Sequence, residues 1–191
     1  MHRLLIALGV FALAAPAITA QTSTWNIDTA HSEVEFAVRH MSVSTIRGKI
    51  GGLKGAITLD DADAAKSSVS VTIDVSTIDT GVSMRDNDLK SANFFDVAQF
   101  PTAKFASTSV TGGGQHWTVK GNLTLHGATR PVELDVEGPT GPAPGMDHKP
   151  HAGYTATTTL NRKDFGIGAK YPDGVVSDQI KLTIDLEVAK Q

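Results

Sequence analysis

The chain has 191 residues, 40% hydrophobic, 19% charged and 6% aromatic, and 17 basic against 20 acidic residues leave a formal net charge of −3. The absence of cysteine excludes a disulfide framework, an iron–sulfur cluster, a thiolate zinc site and a cysteine nucleophile. Without a basic run there is no footprint for nucleic acid, which is bound by Lys and Arg releasing counterions, and the ordinary apolar content excludes intrinsic disorder.

Residues 1–20 stand apart. A single side-chain charge, Arg3, precedes an unbroken apolar run from Leu4 to Ala15 and then the small-residue stretch Pro16-Ala17-Ile18-Thr19-Ala20. That is the layout of a secretory signal peptide, and the run is too short for a membrane span, which takes about 18 residues. The reading places cleavage after Ala20, with Ala15-Pro16-Ala17 as a second acceptable site. It divides the chain into a removed segment, 1–20, and one exported domain, 21–191.

From there the hydrophobic period is two. Val34-Glu35-Phe36-Ala37-Val38 nearly alternates, and Val69–Val75, Val132–Val136 and Ile180–Val188 alternate without error. Such alternation marks strands with one apolar face. Weaker strand signals, rich in Thr, Val and aromatics, lie at 53–59, 105–110, 117–125 and 154–160. Turn clusters at Asp60-Asp61-Ala62-Asp63, Gly112-Gly113-Gly114 and His126-Gly127-Ala128 separate them. Ser83 with Asp86 resembles a capping box and predicts a helix over roughly 84–91. The stretch Gly138–Gly153, with four prolines, reads as a loop. Eight or nine strands joined by short turns predict one antiparallel all-β domain, a sandwich or a closed barrel.

Signatures of chemistry are scarce. No serine-hydrolase, zinc-protease or Ser-Lys motif occurs, and Gly112-Gly113-Gly114 lacks the ending of a phosphate loop. Asp60, Asp61 and Asp63 lack the Gly and distal Glu of a calcium loop and read as a solvated turn. His148 and His151, three apart, are a weak metal signal on their own, so no metal or cofactor is expected. His31 and His40 flank the first clear strand, where structural hydrogen bonds are the plainer account. Catalysis by either as an acid–base group needs a partner that spacing does not identify. An apolar interior phase, including Val71, Ile73 and Leu123, suits plain core packing. An eight-stranded barrel is wide enough either to fill itself or to hold one small ligand, which would have to be apolar.

The order and spacing of several motifs resemble the YceI-like family across almost the whole exported length. They begin with Trp25-x-Ile27-Asp28-x-x-His31-Ser32, Phe36-x-Val38-Arg39-His40-Met41 and Ser76-Thr77-Ile78-Asp79-Thr80. Arg85-Asp86-x-x-Leu89-Lys90, Phe94-Phe95-Asp96-Val97 and Phe100-Pro101-Thr102 follow. The last are Gly121-Asn122-Leu123-Thr124-Leu125-His126-Gly127 and Asn161-Arg162-x-Asp164-Phe165-Gly166.

The resemblance implies an eight-stranded antiparallel lipocalin-like barrel with a short helical insert, binding a polyisoprenoid or related long-chain lipid in the periplasm. It implies tail contacts at Phe36, Val38, Met84, Leu89, Phe94, Phe95, Phe100, Phe105 and Phe165, beside the inward Val71, Ile73 and Leu123. The insert Ser76–Phe105, with four of the six phenylalanines beyond the signal segment, is implied to form mouth and wall. His31, His40, Arg85, Asp86, Asn161, Arg162 and Asp164 match family positions. An Arg85–Asp86 or Arg162–Asp164 network fastening the insert is favoured for them over head-group binding. Expected partners are therefore a long-chain isoprenoid lipid and no nucleic acid, while transient membrane contact and homodimerisation stay open. A non-catalytic carrier is expected. The alternative is an enzyme or redox accessory acting on an isoprenoid lipid through His31 or His40.

Overall fold

The computed structural model describes residues 22–191; the signal-segment reading falls outside them. Ten strands run in chain order: β1 (Thr22–Ile27), β2 (Glu33–His40), β3 (Ser44–Ile50), β4 (Lys54–Asp60), β5 (Ser68–Asp74), β6 (Thr102–Gly113), β7 (His116–Leu125), β8 (Ala128–Pro144), β9 (Pro150–Asn161) and β10 (Gln179–Lys190). One helix, α1 (Ser83–Lys90), lies between β5 and β6. No helix among the described residues is long and apolar enough to cross a membrane.

Every strand pairing is antiparallel, and the ten segments trace eight staves. β10 pairs with β1 through Val188–Lys190 and with β2 through Lys181–Asp185, so β1 and β2 are one stave interrupted at 28–32. On the far side β4 pairs with β1 and β3 with β2, so β3 and β4 are likewise one broken stave. The sheet continues from β4 through β5, β6, β7, β8 and β9 to β10, whose pairing with β1 closes the ring. The result is the closed eight-stranded barrel that the family resemblance implied, and it decides between the sandwich and the barrel that the strand pattern left open.

Alternation of direction sorts the connections between the two ends. The β2–β3 tip, the β5–β6 insert, the β7–β8 turn and the 162–178 segment before β10 share one end. The three remaining turns, Thr22 and Gln191 share the other.

Inward side chains such as Val34, Ile57, Val71, Phe105, Leu123 and Val188 form one core. Glycine shapes it in two places. A Cβ at Gly48 would overlap the ring of Phe36, and one at Gly121 the ring of Phe105. The far end of each ring therefore occupies space beside the neighbouring strand that even a methyl group would need.

Several local expectations change. β1 and β3 carry too few contiguous apolar residues to register as strands. The predicted loop 138–153 is a hairpin arm, because β8 runs on to Pro144 and pairs with β9 at Thr140–Gly153 and Ala143–His151. The register slips between Glu137 and Thr140 and again between Thr140 and Ala143. Pro139 and Pro142 thus occupy bulge positions, where a missing N–H costs no ladder bond. Ser83 does not cap α1. Val82 holds that position without a side-chain bond, and Asp86 instead accepts from the backbone and hydroxyl of Thr80. Asp60 is buried, and its carboxylate accepts the N–H groups of Ala62 and Asp63, which makes the aspartate cluster a self-capped turn.

Candidate functional site

The barrel encloses a cavity of about 240 Å³ whose accessible wall is entirely apolar. Ten of the twelve expected tail contacts line it. Phe36, Val38, Val71, Ile73, Phe105 and Leu123 face it from the strands, Leu89, Phe94 and Phe95 from the insert, and Phe165 from the turn after β9. Two do not. Met84 is 85% exposed on α1, and Phe100 packs edge-on against His126, with ring centroids 4.8 Å apart. Sequence reasoning missed Trp117 and Tyr154, which line the cavity from β7 and β9. Both sit in strands flanked by Thr and Gly, where apolar counting is weak. The Trp117 indole donates to the Gly138 carbonyl at 2.9 Å, and burial pushes the Tyr154 phenol up, so it stays neutral.

Arg162 is the one charged residue that reaches the cavity wall. It is 4% exposed, yet no donor is left for a ligand. Nε donates to Ser177 O, one terminal nitrogen to Ile167 O and Gly168 O, and the other to Tyr171 O, Val176 O and the Asp178 carboxylate. The guanidinium, with five N–H groups in a fixed fork, thereby gathers the whole 162–178 segment over one end of the barrel. Phe94 stacks on Tyr171 of that segment at 5.0 Å and ties the insert to it.

The expected ion pairs form differently. Arg162 meets Asp178 at 2.8 Å, and Asp164 is exposed. Arg85 and Asp86 both bond Thr80, which fastens the start of the insert through a shared hydroxyl. Asn161 caps the following turn by accepting from Lys163 N at 2.9 Å. His40 is exposed next to the β2–β3 tip, and the residues lining the cavity include neither His40 nor His31.

His31 belongs to a charged cluster outside the lumen. Its Nδ1 lies 2.9 Å from Asp28 Oδ2. His151 bridges Glu187 at 2.6 Å and Asp147 at 3.0 Å. The hydrogen bond to Asp28 raises the pKa of His31, and the bond to Glu187 raises that of His151 against the opposing effect of burial. The same pairing with His31 lowers Asp28. His148 does not join His151 in the cluster.

The profile of the YceI-like domain matches residues 25–188. A UPF0312 protein of Vibrio cholerae is 38% identical over 175 residues, covering 87% of this chain and 89% of its own length. Among solved structures, Burkholderia cenocepacia BcnA superposes with a TM-score of 0.74 at 24% identity, over 84% of this chain and 98% of its own. A polyisoprenoid binding domain from Saccharophagus degradans superposes at 0.63 with 16% identity, over 90% of this chain and all of its own. With the profile spanning the barrel from β1 to β10 and relatives this similar over nearly the full length, the chain belongs to the YceI-like family.

Proposed function

We propose that the protein is a non-catalytic binder and carrier of a long-chain isoprenoid lipid, a quinone or quinone precursor among the candidates, acting in the periplasm after export through residues 1–20. The observation that carries this reading is the lumen, a cavity in the barrel interior whose accessible wall has no polar surface. Such a wall accepts hydrocarbon and offers a head group nothing. At about 240 Å³ the cavity lies just below the usual range of small-ligand sites, which starts at roughly 300 Å³, so it takes up only part of a long chain. The Saccharophagus domain, which shares the fold, is described as polyisoprenoid-binding. His31 and His40, the acid–base candidates of the enzymatic alternative, lie outside the lumen, which supports binding over turnover.

Transient membrane contact is part of the proposal. Met41 and Val43 at the β2–β3 tip and Val82 and Met84 at the start of α1 are exposed. All four belong to the end of the barrel that the insert and the 162–178 segment cover.

Burying each CH₂ contributes about 0.8 kcal/mol. Titration with prenyl alcohols of increasing length is therefore expected to show affinity rising with each isoprene unit and then levelling off when the lumen is full. Phe95→Ala, which removes wall without touching a strand, is expected to weaken the longest binders several-fold. Affinity independent of chain length, or no binding by folded protein, would overturn the reading.

A further inference from the structure

Asp28, His31 and Glu187 each present a ligand atom within 4.8 Å of the other two, although Glu187 comes from the far end of the chain. Spacing in the sequence points only to His148 and His151; the fold assembles a different set. We propose that Asp28, His31 and Glu187 form a binding site for a first-row divalent cation, with Zn²⁺ as its probe. The site lies on the outer face of the barrel beside the β1–β10 seam.

The donor chemistry selects the class of ion. An imidazole beside two carboxylates suits zinc, nickel and copper, whereas magnesium and calcium take all-oxygen ligand sets. Three protein ligands leave the fourth position of a tetrahedral site to water. Two of the pairs are already close, His31 Nδ1 to Asp28 at 2.9 Å and His151 Nδ1 to Glu187 at 2.6 Å. A cation among Asp28, His31 and Glu187 takes the place of the proton shared by the first pair, while His151 holds Glu187 from outside. On its other nitrogen His151 meets Asp147 at 3.0 Å, so Glu187 is steadied by an outer hydrogen-bond chain of the kind that orients metal ligands.

The frame is rigid where it needs to be. Asp28 N donates to Glu187 O at 2.8 Å. The buried Ser32 hydroxyl accepts from Glu187 N at 3.0 Å and donates to Glu187 O at 3.2 Å. The ligand-bearing segments 28–32 and 187 are thus tied backbone to backbone. The His31 side chain is 66% exposed, which gives the ion a way in.

Electrostatics favours a cation. The groove lined by His31, His151 and Glu187 also holds Asp185 and Glu137, and no Lys or Arg lines it. Asp185 accepts from Thr155 and keeps its charge in place. A bound ion would link the broken first stave to β10, clamping the ring at its seam independently of what fills the lumen.

The test uses untagged protein stripped with chelator and titrated with Zn²⁺ by calorimetry, with thermal melts in parallel. The expected result is one ion per chain, a raised Tm, and no response to Mg²⁺. His31→Gln and Glu187→Gln are each expected to weaken binding at least about tenfold and to abolish the rise in Tm, while His148→Gln changes neither. No uptake, equal uptake of Mg²⁺, or affinity unaltered in both site variants overturns the proposal. Should Glu187→Gln fail to fold, the exposed His31→Gln decides alone.

Discussion

Arg162→Met is expected to destabilise the protein by about 3–5 kcal/mol, the range for breaking a buried, hydrogen-bonded ion pair. In a domain of this size, where 1 kcal/mol moves Tm by roughly 2–4 °C, the melt should fall by about 10 °C. Methionine fills much of the same space, so the loss is one of hydrogen bonds. The carbonyls of Ile167, Gly168, Tyr171, Val176 and Ser177 lose their common donor. Asp178 keeps a partner in Lys163 at 2.9 Å. Arg162→Lys retains the charge with three donors where the fork has five, and an intermediate Tm is expected. Denaturation followed by circular dichroism checks both. A methionine variant as stable as the parent would show that the 162–178 segment is held by its apolar contacts with the insert.

The second large effect concerns the lumen. Val71, 8% exposed on β5, points into the cavity. Val71→Phe places added carbon in existing empty space. It is expected to weaken prenyl-alcohol binding more than tenfold while leaving the empty protein as stable or up to about 1–2 kcal/mol more stable, as cavity-filling substitutions commonly do. Val71→Glu removes binding too, but it puts a carboxyl where no polar partner exists, so stability falls with it. The contrast separates occlusion from unfolding. If Val71→Phe binds normally, the chain lies elsewhere and the lumen is only core.

Much of the barrel is legible in the sequence because one face of each stave meets apolar neighbours and the other meets water. β5 and β10 show this alternation plainly. β3 hides it, because its central inward position is Gly48, and the apolar group filling that space is the Phe36 ring of the adjacent strand. The β8–β9 arm hides it as well. Its prolines look like loop residues until the two bulges reveal that they fall outside the ladder.

Of the site, the aromatic wall is readable because four phenylalanines crowd the insert, yet Phe100 shows the limit. Its partner is His126 in a turn outside the lumen, a contact that only the docking of the insert creates. Ion-pair partners are less readable still. Arg162 neighbours Asp164 in sequence, but the turn at 162–165 points them apart and brings in Asp178. The outer cluster was invisible in principle, since Asp28 and Glu187 meet only when the ring closes.

That closure makes the two described ends neighbours. Trp25 pairs with Lys190, and Gln191 N donates to Thr24 O at 2.9 Å. Every stave lies beside the one before it in the chain, so the molecule is a cycle cut at one place, and the position of the cut is incidental to the architecture. A short linker from Gln191 to Thr22, with new ends opened in the exposed Gly113–Gly114 turn, would give a circular permutant with the same eight staves and the same lumen. The natural cut does decide the order of events. The seam pairs the first described strand with the last, the most distant pairing among the described residues, and such contacts slow folding. The permutant makes that pairing local and leaves β6 and β7 as its distant pair, so it should reach the same end at a similar rate by a different order.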